Sequence, residues 1–275
     1  MIAEQPSDMM PSAQPIKRKA DRTGAAGLLL TFFLKFAKFF KLAKLVLFTA
    51  SFATYAVLFS WKFAVLILVS LFVHENGHIW AMKRVGIKTK GIYFIPLFGG
   101  AAVAESAFPS RRDEVFVAIM GPIWGLALAL GAGALYVATQ DPLWAAASGW
   151  MAFINLFNLF PLNPLDGGRI VKSVAFSLNS WLGIGVMLAG FLAALFLTFK
   201  FGFGLLVFIL FIGAAEFFAE VRAHRAGRPG LPGMRLREVL GSLAGYVLLA
   251  AVLLGLMLTM QHEPGAGLAT QFLRT

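Results

Sequence analysis

The residues best suited to carry out chemistry are three ionisable side chains within an otherwise apolar run. The segment VSLFVHENGHIWAMKRVG, residues 69–86, contains His74, Glu75 and His78. In a helix the two histidines are one turn apart on the same face, as two ligands of one zinc ion must be. Glu75 lies about 100° around the helix, where it would not bind the metal but could take a proton from a water held there. The pattern H-E-x-x-H therefore predicts a metal centre that activates water.

These two ligands need a third, because a catalytic zinc site usually has three protein ligands and one water. The chain has no cysteine, so the third ligand must be a histidine, a carboxylate or a backbone oxygen. The segment NLFNLFPLNPLDGGRI, residues 155–170, combines asparagines with helix-breaking prolines and glycines and contains Asp166. Irregular backbone at membrane depth is tolerated only where it is buried in protein or lines a wet cavity. Asp166 is the predicted third ligand, and a plain DGG turn beside two hydrogen-bonded histidines is the alternative.

The elements that must position these residues are predicted to be membrane-spanning helices. The chain has 275 residues, of which 59% are hydrophobic and only 13% are charged, a composition far from that of soluble domains. Apolar stretches close to the bilayer length of about 20 residues recur along it. The predicted spans cover residues 45–60, 63–82, 115–138, 143–160, 181–199, 204–219 and 239–260.

The distribution of positive charge predicts the orientation of these spans. With the N-terminus in the cytoplasm, 21 of the 24 Lys and Arg side chains fall on the inner side. The anionic cytoplasmic leaflet of the bilayer then explains the net charge of +11, and no nucleic-acid partner is needed. In this topology the spans 63–82 and 143–160 both run from outside to inside. The two motifs then lie at similar depth in the cytoplasmic half of the membrane, which brings Asp166 within reach of the histidines.

The beginning of the chain is predicted to lie outside the membrane core. Residues 1–27 contain three prolines and a basic cluster, which is typical of a disordered tail. In residues 28–44, lysines at every third position interrupt an apolar run and spread over about half of a helical wheel. This pattern indicates an amphipathic helix in the headgroup region, attracted to anionic lipid. The alternative is a first spanning helix whose lysines extend to the interface.

The two motifs together resemble the site-2 proteases, a family of intramembrane zinc metalloproteases. HENGH, residues 74–78, matches the metal-binding motif, and NLFPLNPLDGG, residues 158–168, fits the family pattern N-x-x-P-x-x-P-L-D-G at every specified position. GIYFIPLFGGAAVAES, residues 91–106, resembles the family's membrane-associated β-hairpin. MGPIWGL, residues 120–126, resembles its Gly-Pro motif, without the asparagine that often follows. The resemblance covers roughly residues 60–180.

The resemblance implies an activity and a set of residue roles. His74, His78 and Asp166 would hold one zinc ion per chain. Glu75 would activate the water, and Asn158 would help to position the substrate backbone or its developing oxyanion. The implied activity is cleavage of a transmembrane segment of a membrane-protein substrate, as in regulated intramembrane proteolysis. Two other classes stay open: a catalytically silent relative that binds membrane segments, and a metal or proton transporter.

The predicted fold is an all-α polytopic membrane protein with about six to seven transmembrane helices, a short re-entrant β-hairpin and the N-terminal amphipathic helix. Residues 45–219 would form the membrane-embedded metalloprotease domain. A basic cytoplasmic linker at 220–238, a C-terminal transmembrane helix at 239–260 and a tail at 261–275 would follow. Glu216, the remaining deep carboxylate, is expected to meet arginines at the interface.

The hairpin is predicted to hold an unwound substrate. Residues 91–106 are too short and too rich in Gly, Pro and β-forming residues for a spanning helix, and basic residues keep both ends on the cytoplasmic side. An open strand edge at that depth has unpaired N–H and C=O groups, with which an extended substrate segment could pair. The strand at 101–104 is favoured over the strand that contains Pro96.

Overall fold

The computed structural model describes residues 42–96, 99–201, 204–227, 230–263 and 267. This part of the chain contains eight helices and one two-stranded sheet. The helices are α1 (Leu42–Leu58), α2 (Trp61–Arg84), α3 (Arg111–Thr139), α4 (Pro142–Asn158), α5 (Asp166–Leu178), α6 (Ser180–Phe201), α7 (Gly204–Arg225) and α8 (Leu236–His262). The two strands lie between α2 and α3 and are β1 (Thr89–Ile95) and β2 (Gly99–Ala104).

Each of the seven predicted spans coincides with a helix, with ends that differ by a few residues. Among the described residues, four helices are long and apolar enough to cross a bilayer, namely α2, α3, α6 and α8. Helix α1 is apolar but shorter, and α4 has only 17 residues. The chain is therefore an integral membrane protein that is mainly helical. The total of six to seven spans remains a prediction.

Local capping explains where the helices around the motifs begin. Ser60, Ser110 and Asp141 precede α2, α3 and α4, and each side chain accepts a hydrogen bond from a backbone N–H of the first turn, at 3.1, 3.1 and 2.9 Å. Such caps satisfy N–H groups that have no partner within the helix. They set the start of the helix that carries HENGH and of the helix that ends at Asn158.

The segment after α4 contains a helix that the sequence did not predict. A proline-rich loop at 159–165 leaves α4, and α5 begins at Asp166, although Gly167 and Gly168 occupy its first turn. Glycine lowers helix propensity, but a Cβ at either position would collide with the backbone of this loop. Close packing of the loop against the first turn of α5 therefore overrides the local propensity. It places Asp166 at a helix N-terminus, where a carboxylate is favourable.

The predicted hairpin is present as an antiparallel pair of β1 and β2. Tyr93 pairs with Ala101 and Ile92 with Ala102. The pairing of the two strands is irregular between Thr89 and Gly91, where the register shifts. Ala102 and its neighbour on the same face, Ala104, pack against a buried cluster of residues from α2, the following turn and α3: Ala81, Met82, Ile87 and Val117. One face of β2 is thus fixed against the helix that carries the histidines. The depth of the hairpin in a bilayer remains a prediction.

A buried network of charges joins α3 to α5. Glu114 and Lys172 are 5% and 4% exposed, and the Lys172 Nζ lies 2.9 Å from a carboxylate oxygen of Glu114. The Arg111 guanidinium lies 3.1 Å from the other oxygen, and the Ser173 hydroxyl donates to that oxygen at 2.7 Å. These contacts satisfy charges that would otherwise be costly to bury. They fix α5, and with it Asp166, against the beginning of α3.

Helix α7 joins this network through two glutamates. Glu220 lies 3.2 Å from Arg111. Glu216 lies 3.7 Å from Lys172 and accepts a hydrogen bond from the Asn163 side chain at 2.8 Å. The expectation that Glu216 meets arginines is therefore wrong, because its partners are Lys172 and Asn163. On α7 it is Glu220, one turn further along, that contacts an arginine.

Helices α7 and α8 both extend into the predicted basic linker. Helix α7 continues to Arg225 and α8 begins at Leu236, so only the middle of 220–238 lies between helices. The start of α8 is marked by the Glu238 carboxylate, which accepts a hydrogen bond from the Arg235 N–H at 2.9 Å. The predicted tail at 1–27, nearly all of the interfacial helix at 28–44 and most of the tail at 261–275 lie outside the described residues.

Candidate metal centre

Three side chains from two helices converge at one point. His74 and His78 come from one face of α2, and Asp166 comes from the start of α5. The two Nε2 atoms are 3.0 Å apart, and Asp166 Oδ2 lies 3.0 Å from that of His74 and 3.3 Å from that of His78. All three residues are buried. In the described part of the chain, no other group of histidines and carboxylates converges in this way.

The chemistry of these atoms fits a bound cation. The Nδ1 atom of each imidazole lies 2.8 Å from an oxygen, which is the Val117 carbonyl for His78 and the Asn155 side chain for His74. With the protons on Nδ1, both Nε2 lone pairs face inward. Asp166 Oδ2 is buried and has no hydrogen-bond partner. Three inward lone pairs at this distance repel one another unless a cation lies between them.

The spacing of these atoms fits zinc. Tetrahedral zinc with bonds of about 2.0–2.1 Å keeps its ligand atoms about 3.3 Å apart. The separations of 3.0, 3.0 and 3.3 Å are close to that value. Two imidazoles and one carboxylate also form a ligand set that catalytic zinc uses, with the fourth position left for water. The residues present therefore fit a zinc ion.

Helix α3 approaches this centre closely through Gly121. A Cβ at that position would collide with the imidazole of His78 and would lie 2.9 Å from Nε2 of His74. Gly121 belongs to the segment at 120–126 that resembles the family's Gly-Pro motif, and Pro122 follows it inside α3. The absence of a side chain at Gly121 lets both imidazoles lie against the α3 backbone.

Glu75 is buried beside the ligands but is bonded to the hairpin. Its Oε2 accepts a hydrogen bond of 2.7 Å from the backbone N–H of Ala102 in β2, and the residue is 4% exposed. Glu75 is not one of the three converging residues, in keeping with its position around the helix. The contact between Glu75 and Ala102 was not predicted from the sequence. Its one signal in the sequence is that the hairpin follows α2 directly.

The two asparagines of α4 have different surroundings. Asn158 is the last residue of α4, half-buried, and its Nδ2 donates to the Ile154 carbonyl at 3.2 Å, so its predicted role toward a substrate remains a prediction. Asn155, one turn earlier, is fully buried and contacts His74. In the sequence, Asn155 is the first residue of the asparagine-containing segment 155–170, and nothing there indicates its partner. The partner is 81 residues away in the chain, which no local spacing reveals.

Part of the chain is similar in sequence to known proteins. The model of peptidase family M50 matches residues 62–141. The protein sll0528 of Synechocystis sp. is 37% identical over 133 residues, which are 46% of this chain and 34% of that protein. Rip3 of Mycobacterium tuberculosis is 32% identical over 145 residues, 49% of this chain and 37% of that protein. MJ0392 of Methanocaldococcus jannaschii is 29% identical over 118 residues, 40% of this chain and 33% of that protein.

All three relatives carry the words zinc metalloprotease in their names. The matched part of the chain spans about a third of their length. The region that matches the family model contains nearly all of α2, including the HENGH motif, and all of α3. Together with the convergence of two histidines and an aspartate, these similarities support the resemblance of the chain to the site-2 proteases, peptidase family M50.

Proposed function

We propose that this chain is an intramembrane zinc metalloendopeptidase that cleaves a transmembrane segment of membrane-protein substrates. The observation that carries the proposal is the convergence of His74, His78 and Asp166 at 3.0–3.3 Å beside the buried carboxylate of Glu75. The match of residues 62–141 to the model of peptidase family M50 supports it, as does the presence of helices that are long enough to cross a bilayer.

The ligand residues and Glu75 have separate tasks in this proposal. His74, His78 and Asp166 hold the zinc, which when bound supplies a Lewis acid that acidifies water and polarises a peptide carbonyl. Glu75 takes the proton from the attacking water and delivers it to the leaving amine. One oxygen of Glu75 is held by Ala102, so the other is available for the proton. No covalent bond between substrate and protein is required.

Asn158 is assigned to the developing negative charge on the carbonyl oxygen of the scissile bond. An amide N–H donor aimed at this oxygen lowers the barrier because the charge is larger in the transition state than in the substrate. The amide of Asn158 is at the end of α4, before the loop that leads to Asp166. Its hydrogen bond to Ile154 is long, at 3.2 Å, and a carbonyl oxygen of the substrate can replace it.

The substrate must be unwound before attack, because a helix hides its carbonyl groups in its own hydrogen bonds. The outer edge of β2 is the proposed place where the extended segment is held. Ala102 donates its N–H to Glu75 and not to β1. In an antiparallel pair alternate residues direct their backbone groups outward, so residues 100, 102 and 104 share this edge. An added strand here would run beside Glu75.

The proposed topology has a cytoplasmic N-terminus and an active site in the cytoplasmic half of the membrane. The distribution of Lys and Arg supports it. Because the chain has no cysteine, single cysteines can report the orientation. A membrane-impermeant thiol reagent added outside sealed cells should label Gln140→Cys, in the turn between α3 and α4, and should not label Arg225→Cys, at the end of α7. The reverse result would overturn the topology.

Cleavage of a single-span membrane protein by the purified chain, with and without a zinc chelator, tests the proposed function. We expect cleavage that the chelator stops and that added zinc restores. A catalytically silent relative would bind the span without cutting it, and a transporter would move metal ions or protons without cutting it. Comparison of single-span proteins in cells with and without this chain would identify the substrate.

A further inference from the structure

One residue outside the ligand set contacts a ligand directly from a third helix. Asn155 is 0% exposed, and its Oδ1 lies 2.8 Å from Nδ1 of His74. On its other side, its Nδ2 donates to the carbonyl of Met151 at 2.8 Å. Both ends of the amide therefore have a partner, and the side chain connects α4 to the imidazole on α2.

These partners determine which way the amide faces. The Met151 carbonyl can only accept a hydrogen bond, so the NH₂ group of Asn155 must face it. The oxygen of Asn155 then faces His74 and can only accept as well. His74 must therefore carry its proton on Nδ1, which leaves the lone pair of Nε2 for the metal. The Val117 carbonyl has the same effect on His78.

Helix α3 makes room for this arrangement. A Cβ at Gly125 would overlap the side-chain amide of Asn155. Gly125 lies four residues after Gly121, which approaches the imidazoles in the same way. Gly121 and Gly125 thus leave space on one face of α3. The two imidazoles occupy the space at Gly121, and the amide of Asn155 occupies the space at Gly125.

We propose that Asn155 is a positioning residue for the zinc site, which fixes the tautomer and the ring orientation of His74. Outer partners of this kind raise metal affinity because the ligand does not have to be reoriented or lose a proton when the metal binds. The proposal rests on the zinc-binding part of the proposed function and not on proteolysis. It is therefore tested by metal binding.

The test is the zinc affinity of the purified full-length protein, measured by competition with a chromophoric chelator. Asn155→Leu keeps the approximate size of the side chain and removes the acceptor, and we expect its affinity to fall by about 10- to 100-fold. Asn155→Asp keeps an oxygen acceptor for Nδ1–H, and we expect its affinity to stay within about tenfold of wild type. The visible spectrum of the cobalt-substituted protein should change in Asn155→Leu and not in Asn155→Asp.

Ser148→Ala is the matched control on the same helix. Ser148 is fully buried, and its hydroxyl donates to the Ala129 carbonyl of α3 at 2.8 Å. Its loss removes a buried hydrogen bond between α4 and α3 but no contact with the metal ligands, so zinc affinity should not change. If Asn155→Leu does not fold, Gly125→Ala displaces the same amide, and Gly131→Ala, which meets nothing within 4 Å, is its control.

The outcomes separate this proposal from the proposed function. Unchanged zinc affinity in Asn155→Leu, or in Gly125→Ala where Asn155→Leu does not fold, would overturn the role of Asn155 and leave the protease proposal intact. An equal loss in Asn155→Leu and Asn155→Asp would also overturn it, because packing and not the acceptor would then be responsible. A wild-type protein that binds no zinc would overturn both.

Discussion

The Glu75 carboxylate accepts a hydrogen bond of 2.7 Å from the backbone N–H of Ala102. This contact joins the residue proposed to move protons to the strand proposed to hold the substrate. A substrate strand that pairs along β2 needs the same N–H group. We expect substrate pairing to release Glu75 from β2, so that the carboxylate becomes fully available when a peptide bond is in place.

The first prediction concerns cross-linking of substrate to β2. Single cysteines at positions 101 to 104, in the Glu75→Gln background, should form disulfides with a cysteine near the cleavage site of the substrate. Side chains alternate between the two faces of a strand, and Ala102 and Ala104 pack on the α2 and α3 cluster. Yields should therefore be high at 101 and 103 and low at 102 and 104.

A cysteine at Leu135, on an exposed part of α3, is the control and should give no product. Equal yields at all four strand positions would mean that the substrate is not held as an added strand. Capture mainly by cysteines in α8 would place the substrate on another side of the protein.

The second prediction is that Glu75→Gln abolishes proteolysis while zinc stays bound. Glutamine keeps the size of the side chain but cannot take a proton, and general-base catalysis is worth about 10²-fold or more. Turnover and zinc content should be measured on the same preparation. Residual activity above about 10% of wild type would contradict the general-base role.

The third prediction is that Asp166→Ala lowers zinc affinity, unlike Glu75→Gln. Asp166 supplies the only carboxylate oxygen of the ligand set, so we expect a loss larger than the roughly 10- to 100-fold effect of an outer partner. Metal analysis of the purified protein after dialysis measures it. Zinc content equal to that of wild type would remove Asp166 from the ligands.

The fourth prediction is that Gly121→Ala weakens the metal centre. The added methyl group would overlap the imidazole of His78, and such overpacking typically costs about 1–3 kcal/mol. If the methyl group displaces the imidazoles of His74 and His78, zinc affinity should fall by about 10- to 100-fold. Gly131→Ala on the same helix, with no neighbour within 4 Å, should bind zinc as wild type does. Equal zinc affinity in the two variants would argue against the close approach of α3.

The fifth prediction concerns the buried charges. Lys172→Met leaves Glu114 without its closest cation at 5% exposure, and breaking a buried ion pair in this way costs about 3–5 kcal/mol. Arg111 and Ser173 still contact Glu114, so we expect the lower end of that range. Denaturation of the full-length protein in mixed micelles gives the change in the free energy of unfolding.

The matched control for Lys172→Met is Arg112→Gln. Arg112 is 71% exposed and its contact with Glu238 is 3.5 Å, so solvent screens the pair and its loss should change stability little. A similar effect of both substitutions would show that the buried network contributes no more than a surface pair.

The convergence of the three side chains could be predicted from two short motifs and the orientation of the spans. Helical periodicity alone places His74 and His78 on one face, and α2 confirms the helix. The orientation of the spans then put Asp166 at the same depth, and the structure brings it to 3.0 Å from His74. The hairpin was also predictable, because its Gly, Pro and β-forming residues are consecutive.

The remaining features depend on tertiary packing, which no window of sequence contains. Gly167 and Gly168 disfavour a helix locally, and α5 forms there because a loop packs on its first turn. Nothing in the local sequence indicates that Lys172 is buried, because its partner Glu114 lies on another helix. The orientation of Asn155 toward His74 likewise requires α2 and α4 to be adjacent.

The residues proposed to bind the metal come from two distant parts of the chain, because α5 begins 88 residues after His78. A metal ion that binds both parts in the native state, and not in the unfolded chain, would connect α2 to α5 only while the protein is folded. Zinc at 100 times its dissociation constant would then stabilise the native state by about 2.7 kcal/mol. Loss of zinc would release the connection between α2 and α5, so a chelator would lower the resistance of the protein to unfolding as well as its activity.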